Sequence, residues 1–317
     1  MATEKTTSAA ELEERKKERD DEEEEEEAED EAAADSDDED EDEEDDEDER
    51  PSHAPIAKTA APKPVRSGTT FMGSLRNTWT IGKRELRAYF DSLVAYVVIG
   101  LSMLGLGGYF FFYQGGFWQV DRATMMRLFD FAPGALCLVV PLVTMATLAE
   151  EKRSGTIELL ITMPVKDSEV ILGKYIAALG MCTILLIATM SYPFAMFVWP
   201  WHLGPLDWGP IWTGYLGLFL YCGAGVALGM MVSSFTESQI ISFFVTALSM
   251  LTLWGLGFLV ESLPGATGDI FSFISFQSRF TPFARGLIDS RAVIYFVSIA
   301  VVCLLVSFRQ LESRKWK

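Results

Sequence analysis

From residue 92 onward the chain alternates long uncharged stretches with short polar ones. Windows 92–120, 131–149, 175–206, 208–236, 238–260 and 292–308 contain no Asp, Glu, Lys or Arg. About 20 apolar residues at 1.5 Å rise cross a hydrocarbon core of roughly 30 Å. The first five windows reach or nearly reach that length. The sixth does so when extended by Phe308 and the region of Ile288. The pattern predicts six transmembrane helices near 93–114, 132–150, 173–198, 210–234, 239–261 and 290–308. In lipid only a helix or a closed barrel satisfies its own backbone, and the period-2 alternation of a barrel is missing. The expected fold class is therefore an all-α integral membrane protein.

The polar stretches carry their own patterns. At 100° per residue, the segment SLRNTWTIGKRELRAYFDS (74–92) gathers Leu75, Trp79, Leu86, Tyr89 and Phe90 on one face. Arg76, Lys83, Arg84 and Arg87 lie to one side of that stripe. This predicts an interfacial elbow helix, with Trp79 at the acyl boundary and Lys83, Arg84 and Arg87 among phosphates. Asp91 and Ser92 then offer an N-cap to a separate first membrane helix; the plainer alternative is one continuous helix. Gly100, Gly105, Gly107 and Gly108 in the first membrane helix, and Gly223, Gly225 and Gly229 in the fourth, are expected to let neighbouring helices approach closely. Between the fifth and sixth helices, Phe271, Phe273, Phe276, Phe280 and Phe283 recur in a segment too short and broken to span. We expect a re-entrant or interfacial element on the outer side, marked by Phe280, Phe283, Arg285 and Gly286, serving as an anchor or an outer gate. Arg279 and Arg285 are expected to reach headgroups or line a polar cavity.

Six helices place both termini on one side. With that side cytoplasmic, its flanks hold fifteen Lys/Arg: seven in 51–92, four in the loop after the second helix and four in the C-terminal tail. The other side holds five, namely Arg122, Arg127, Arg279, Arg285 and Arg291. The excess of inward cations orients the chain with both termini and the loop after the second helix in the cytoplasm.

Composition changes this picture only at the N-terminus. Residues 1–50 hold 30 Asp/Glu and 6 Lys/Arg, net −24, while 51–317 hold 15 and 20, net +5. The overall charge of −19 thus belongs to an acidic tail and not to the apolar body. Self-repulsion and the lack of apolar residues predict a disordered acidic tail over 1–50. Residues 51–73 read as a flexible linker, and 74–317 as the membrane domain. The break in composition makes Met72 an alternative translation start. No cleavable signal peptide is read, since the N-terminus lacks an apolar core.

Enzyme chemistry is missing from the pattern. There is no G-x-x-x-x-G-K-[ST] phosphate loop, no G-x-S-x-G elbow and no H-E-x-x-H. His53 and His202 are the only histidines, and Cys137, Cys182, Cys222 and Cys303 all fall within proposed helices without a CxxC. No catalytic residue, bound metal or cofactor is expected in this chain. The proposed helix centres also lack the charges that ion-coupled carriers keep, so any energy for transport should come from a partner.

The loop after the second helix is the most informative segment. Glu150 and Glu151 stand where that helix leaves the membrane, and the helix is read as continuing into Lys152 and Arg153 until Gly155 breaks it. Thr156–Met163 reads as a short, partly apolar helix ended by Pro164, and Asp167 or Ser168 caps the next helix. A short apolar helix on a cytoplasmic face fits a protein groove. The run EEKRSGTIELLITMPVKDSEVILGKYIAAL resembles the cytoplasmic loop of ABC-2 type transporter permeases in its ordered set Glu151, Arg153, Gly155, Thr156, Glu158, Leu159, Leu160, Pro164, Gly173 and Lys174. NTWTIGKRELRAYFDSLVAYVVI (77–99) is similar to that family's elbow and first helix. SRFTPFARGLIDSRAVIYF (278–296) and the basic end ESRKWK resemble its gliding-motility-associated branch. The resemblance covers about 72–317, and the acidic tail departs from it.

The resemblance implies a pore-forming subunit without its own ATPase, pairing as a homodimer or heterodimer with a second permease or auxiliary membrane subunit and with separate nucleotide-binding subunits that carry ATP and Mg. Residues 155–164 would be the coupling helix seated on the ATPase. The chain would sit in the cell inner (plasma) membrane, act as an exporter, and have no nucleic-acid partner. Two other readings stay open: a non-transporting membrane scaffold of an ATPase-driven gliding-motility or secretion machine, and an accessory permease of copper-enzyme maturation, for which Met125, Met126, Met230 and Met231 are the only hint.

Overall fold

A computed structural model describes residues 71–112, 125–155, 167–197, 207–260 and 265–313. The acidic tail, the linker through residue 70 and residues 156–166 lie outside the described residues. The described residues form helices with no strand: α1 (Phe71–Asp91), α2 (Leu93–Phe112), α3 (Met126–Thr144), α4 (Ala149–Arg153), α5 (Asp167–Thr189), α6 (Ser191–Phe197), α7 (Trp208–Phe235), α8 (Gln239–Val260), α9 (Ala266–Ile274), α10 (Phe276–Ala284) and α11 (Ser290–Ser313). Among the described residues, six stretches are long and apolar enough to cross a membrane: Ala95–Phe112, Met126–Arg153, Asp167–Met196, Trp208–Phe235, Gln239–Val260 and Ser290–Ser313. The protein is an all-α, multi-pass membrane protein.

The bundle is assembled around α7, whose glycines meet large side chains of its neighbours. A Cβ added at Gly214 would lie 2.5 Å from the Phe129 ring, at Gly217 2.6 Å from Phe283, and at Gly225 2.6 Å from Met250; at Gly229 it would strike Thr144. Apolar burial gives little drive between helices already in lipid, so such close fits supply the packing energy. Tyr221, halfway along α7, is fully buried. Its ring lies edge-on to Phe276 at 5.3 Å, and its hydroxyl is 3.1 Å from Cys137 Sγ.

One end of the bundle, here called proximal, carries α1, α4, the start of α5 and the start of α8. The opposite, distal end carries the α9–α10 hairpin. The joint of that hairpin brings Phe276 to the level of Tyr221, and Thr213 Oγ1 donates to Phe283 O at 2.9 Å.

Several sequence expectations need correction. The second span begins at Met126, so Arg127 and Asp130 belong to its first turns, at the distal end. The third helix begins at Asp167, where a cap was expected, and carries Glu169, Gly173 and Lys174 near its start. That helix runs past its uncharged window because Glu169 and Lys174 are buried against protein and not in lipid. In α2 only Gly107 receives a neighbour, the Tyr192 hydroxyl; nothing among the described residues approaches Gly100, Gly105 or Gly108. The aromatic stripe of α1 divides: Leu75 and Trp79 are 54% and 64% exposed, while Leu86, Tyr89 and Phe90 pack on the core. The Arg279 guanidinium lies 4.7 Å from the Phe273 ring and 5.5 Å from the Tyr295 ring.

Candidate functional site: a charged junction at the proximal end

The site starts from two glycines. An added Cβ at Gly173 of α5 would lie 2.7 Å from Ile81 Cγ2, and one at Gly82 of α1 would lie 3.1 Å from Gly173 O. Glycine at both positions lets the two backbones touch. One turn beyond Gly82, α1 presents Glu85; next to Gly173, α5 presents Lys174. The close approach brings the Lys174 ammonium to 3.4 Å from Glu85. Its other partner is Glu151 of α4 at 2.8 Å. Lys174 is 6% exposed, so one buried cation ties three chain segments together. Burial by itself would raise the Glu85 carboxyl, but the charges of Lys174 and Arg84 outweigh it and hold the group below its ordinary range. A second polar contact reinforces the α1–α5 pairing: Asn77 Nδ2 donates to Glu169 at 3.3 Å, and Glu169 lies in the first turn of α5, where the helix dipole favours a carboxylate.

The short helix α4 is positioned by α7. After Thr144 the span leaves regular helix over residues 145–148, one turn beyond Pro141, which stands inside α3 without an amide to donate. A helix restart leaves amides without intrahelical acceptors. Here Ser233 Oγ accepts from Leu148 N at 3.2 Å and Ala149 N at 2.9 Å. Lys152 Nζ donates to Ser234 O. The helix then ends in a turn at Gly155, whose φ of 70° favours glycine. Tyr89, pushed up by burial and therefore neutral, donates to Val143 O at 3.0 Å and pins α1 to α3.

Between these elements lies a cavity of about 500 Å³. Its walls mix apolar groups such as Leu142, Val143, Met145 and Ala177 with Glu85, Glu150, Glu151, Lys174 and Gln239. That size and mixture suit a small amphipathic molecule.

Of the residues singled out in the loop, Glu151, Gly173 and Lys174 converge here, and Arg153 and Gly155 sit at the end of α4. Thr156, Glu158, Leu159, Leu160 and Pro164 lie outside the described residues. Trp79, Lys83, Arg84 and Arg87 are exposed on α1, away from the face that meets α5. Phe280 and Phe283 are buried against α7; Arg285 is exposed, and Gly286, with φ 88°, lies against Pro210. These distal residues are remote in the fold from the junction. Sequence reasoning did not single out Glu85 or Ser233, and it took Tyr89 only as part of an apolar stripe. For Glu85 a signal existed: it falls on the same helical face as Thr78 and Gly82, opposite Arg76, Lys83 and Arg87.

A family profile described as an ABC-2 family transporter protein matches residues 9–264. The match takes in most of the acidic segment and the first five membrane-crossing stretches, and ends before α9. No curated protein matches the chain.

Proposed function

This chain belongs to the ABC-2 family of transporter proteins, and we propose that it is an exporter subunit driven through residues 155–164. As a family member it is the membrane-spanning permease of an ABC transporter and not itself catalytic, and the family implies pairing with an ABC ATPase subunit. The finer reading is ours. The 155–164 segment is the coupling helix, carrying Gly155, Thr156, Glu158, Leu159, Leu160 and Pro164. ATP and Mg are held by the partner, two permease chains pair in the inner membrane, and the proximal end with both termini faces the cytoplasm. Sequence resemblance at 278–296 supports placing the chain in the gliding-motility-associated branch.

The observation that carries the reading is the Lys174 junction. It joins α4, from whose end the 155–164 segment departs, to α1 and α5 through ion pairs of 2.8 and 3.4 Å. A push on that segment therefore has a stiff route into three helices. The cavity beside the junction supplies a place where a cytoplasmic substrate could load before outward release.

Purification from native membranes in mild detergent tests this. An ATPase chain bearing a phosphate loop is expected to co-purify and to be lost in Gly155→Pro, since proline cannot adopt the positive φ at that turn. It is expected to be weakened in Glu158→Lys. Unchanged co-purification in both variants would refute the coupling assignment.

A further inference from the structure

We infer that the cavity beside the Lys174 junction binds a small organic cation with an apolar body; the inference rests on the transport reading above and gives that reading its substrate class. The cavity has room, about 500 Å³, which is within the range of small-molecule pockets. Its charges do not balance. Among the described residues, the charged side chains that line it are the carboxylates of Glu85, Glu150 and Glu151 and the ammonium of Lys174. Three negative charges against one positive leave a net of −2. Arg84 stands 3.0 Å from Glu85 without belonging to the wall. Counting it still leaves −1.

The junction accounts for only part of this wall. Lys174 is committed to Glu151 at 2.8 Å and to Glu85 at 3.4 Å, so its ammonium is already held when an anion arrives. Glu150 takes no part in that network. It is exposed, lines the cavity and makes no ion pair among the described residues. A purely structural cluster has no use for this third carboxylate, nor for the hollow beside it. Much of the remaining wall is apolar, with Leu142, Val143 and Met145 coming from the end of α3 and the break after it. A cation with an apolar body answers both features. Its charge is attracted by the net negative wall, and its body leaves water against the apolar residues. An anion of the same shape meets unbalanced carboxylates. An uncharged molecule strips water from them and returns no compensation. The wall therefore selects by sign of charge as well as by size.

The test uses the full chain, purified in mild detergent as above and moved into lipid nanodiscs without ATP. The probe is radiolabelled tetraphenylphosphonium, whose charge is fixed at every pH, and empty nanodiscs give the background. Saturable binding is expected, displaced by octyltrimethylammonium and not by octanesulfonate, which has the same chain and the opposite charge. No saturable binding, or equal displacement by both, would overturn the proposal. Two variants locate the probe. Ala88→Trp places a large ring in the hollow from an exposed position of α1, and affinity should fall at least roughly tenfold because the space is taken. Glu150→Gln removes the unpaired charge and keeps the shape, and affinity should fall roughly three- to fivefold, the scale of a partly exposed ion contact. Unchanged affinity in either variant would also overturn it. The displacement series needs no variant, so it decides the charge selectivity even where Ala88→Trp fails to fold. Binding is read without turnover. A chain that retains its ATPase and binds no cation refutes the substrate class alone, whereas one that binds the cation and holds no ATPase refutes the coupling alone and supports the site.

Discussion

Replacing Lys174 by methionine keeps the length of the side chain and removes its charge, and this isolates what the junction contributes. The ammonium is 2.8 Å from Glu151 and 3.4 Å from Glu85. At an effective dielectric of about 20, each pair attracts by roughly 5–6 kcal/mol before desolvation. Burying the ammonium costs several kcal/mol, and both carboxylates remain about a quarter exposed, at 26% and 23%, so solvent screens part of the attraction. The balance is a net loss of about 2–3 kcal/mol on Lys174→Met, because two carboxylates are left facing each other across an apolar side chain. For a domain of this size each kcal/mol moves the unfolding temperature by about 2–4 °C, so a fall of roughly 4–12 °C is expected. The assay is tryptophan-fluorescence melting of the purified protein in lipid nanodiscs. Adding Glu151→Gln to Lys174→Met should recover part of the loss, since it removes the orphaned charge, whereas Glu151→Gln alone should destabilise. A fall below about 2 °C, or strictly additive losses in the double variant, would show that the junction is worth no more than a surface ion pair and would remove the physical basis for a stiff link among α1, α4 and α5.

Three further outcomes follow from the same geometry. Ser233→Ala strips the acceptor from the amides of Leu148 and Ala149 and should cost about 1–3 kcal/mol; hydrogen exchange at those two amides should accelerate, and unchanged protection would mean that α4 does not depend on α7. Gly173→Val drives a side chain into Ile81 and the Thr78 carbonyl and should cost about 1–3 kcal/mol; limited proteolysis should then release α1, whereas Gly100→Val, where nothing is met, should leave the cleavage pattern of the single chain unchanged. The Glu85 carboxyl is held below the ordinary 4.5, so its stabilising contribution is complete above that pH and is lost as pH falls through the lower folded value. Melting temperature should therefore be level in this respect from pH 7 to about 5 and decline below about 4.5, and Glu85→Gln should flatten that decline.

The number and type of membrane-crossing elements could be read from the chain alone, because lipid imposes a rule visible in one dimension: about 20 residues without charge, all in helix. The same reasoning separated the acidic 1–50 from the body and picked out the loop that holds Glu151 and Lys174. Helix limits were read less well. A charge such as Glu169 looks like a boundary when every neighbour is assumed to be lipid, yet it belongs to a long apolar helix when another helix covers it. Glycines show the same gap. Those of α2 and α7 look alike in sequence, but Gly225 meets Met250 while nothing among the described residues meets Gly105, since spacing records that a helix can be approached and not what approaches it. The junction itself was beyond reach for that reason. Glu85 and Lys174 stand 89 residues apart, and only the contact of Gly82 with Gly173 brings them together. Ser233 reads as one more small residue in a membrane helix until the break in the second span, at residues 145–148, puts two free amides beside it. Local chemistry determined which segments cross the membrane; packing between distant segments determined which polar groups meet, because a side chain's partner is set by the three-dimensional neighbour and not by the sequence neighbour.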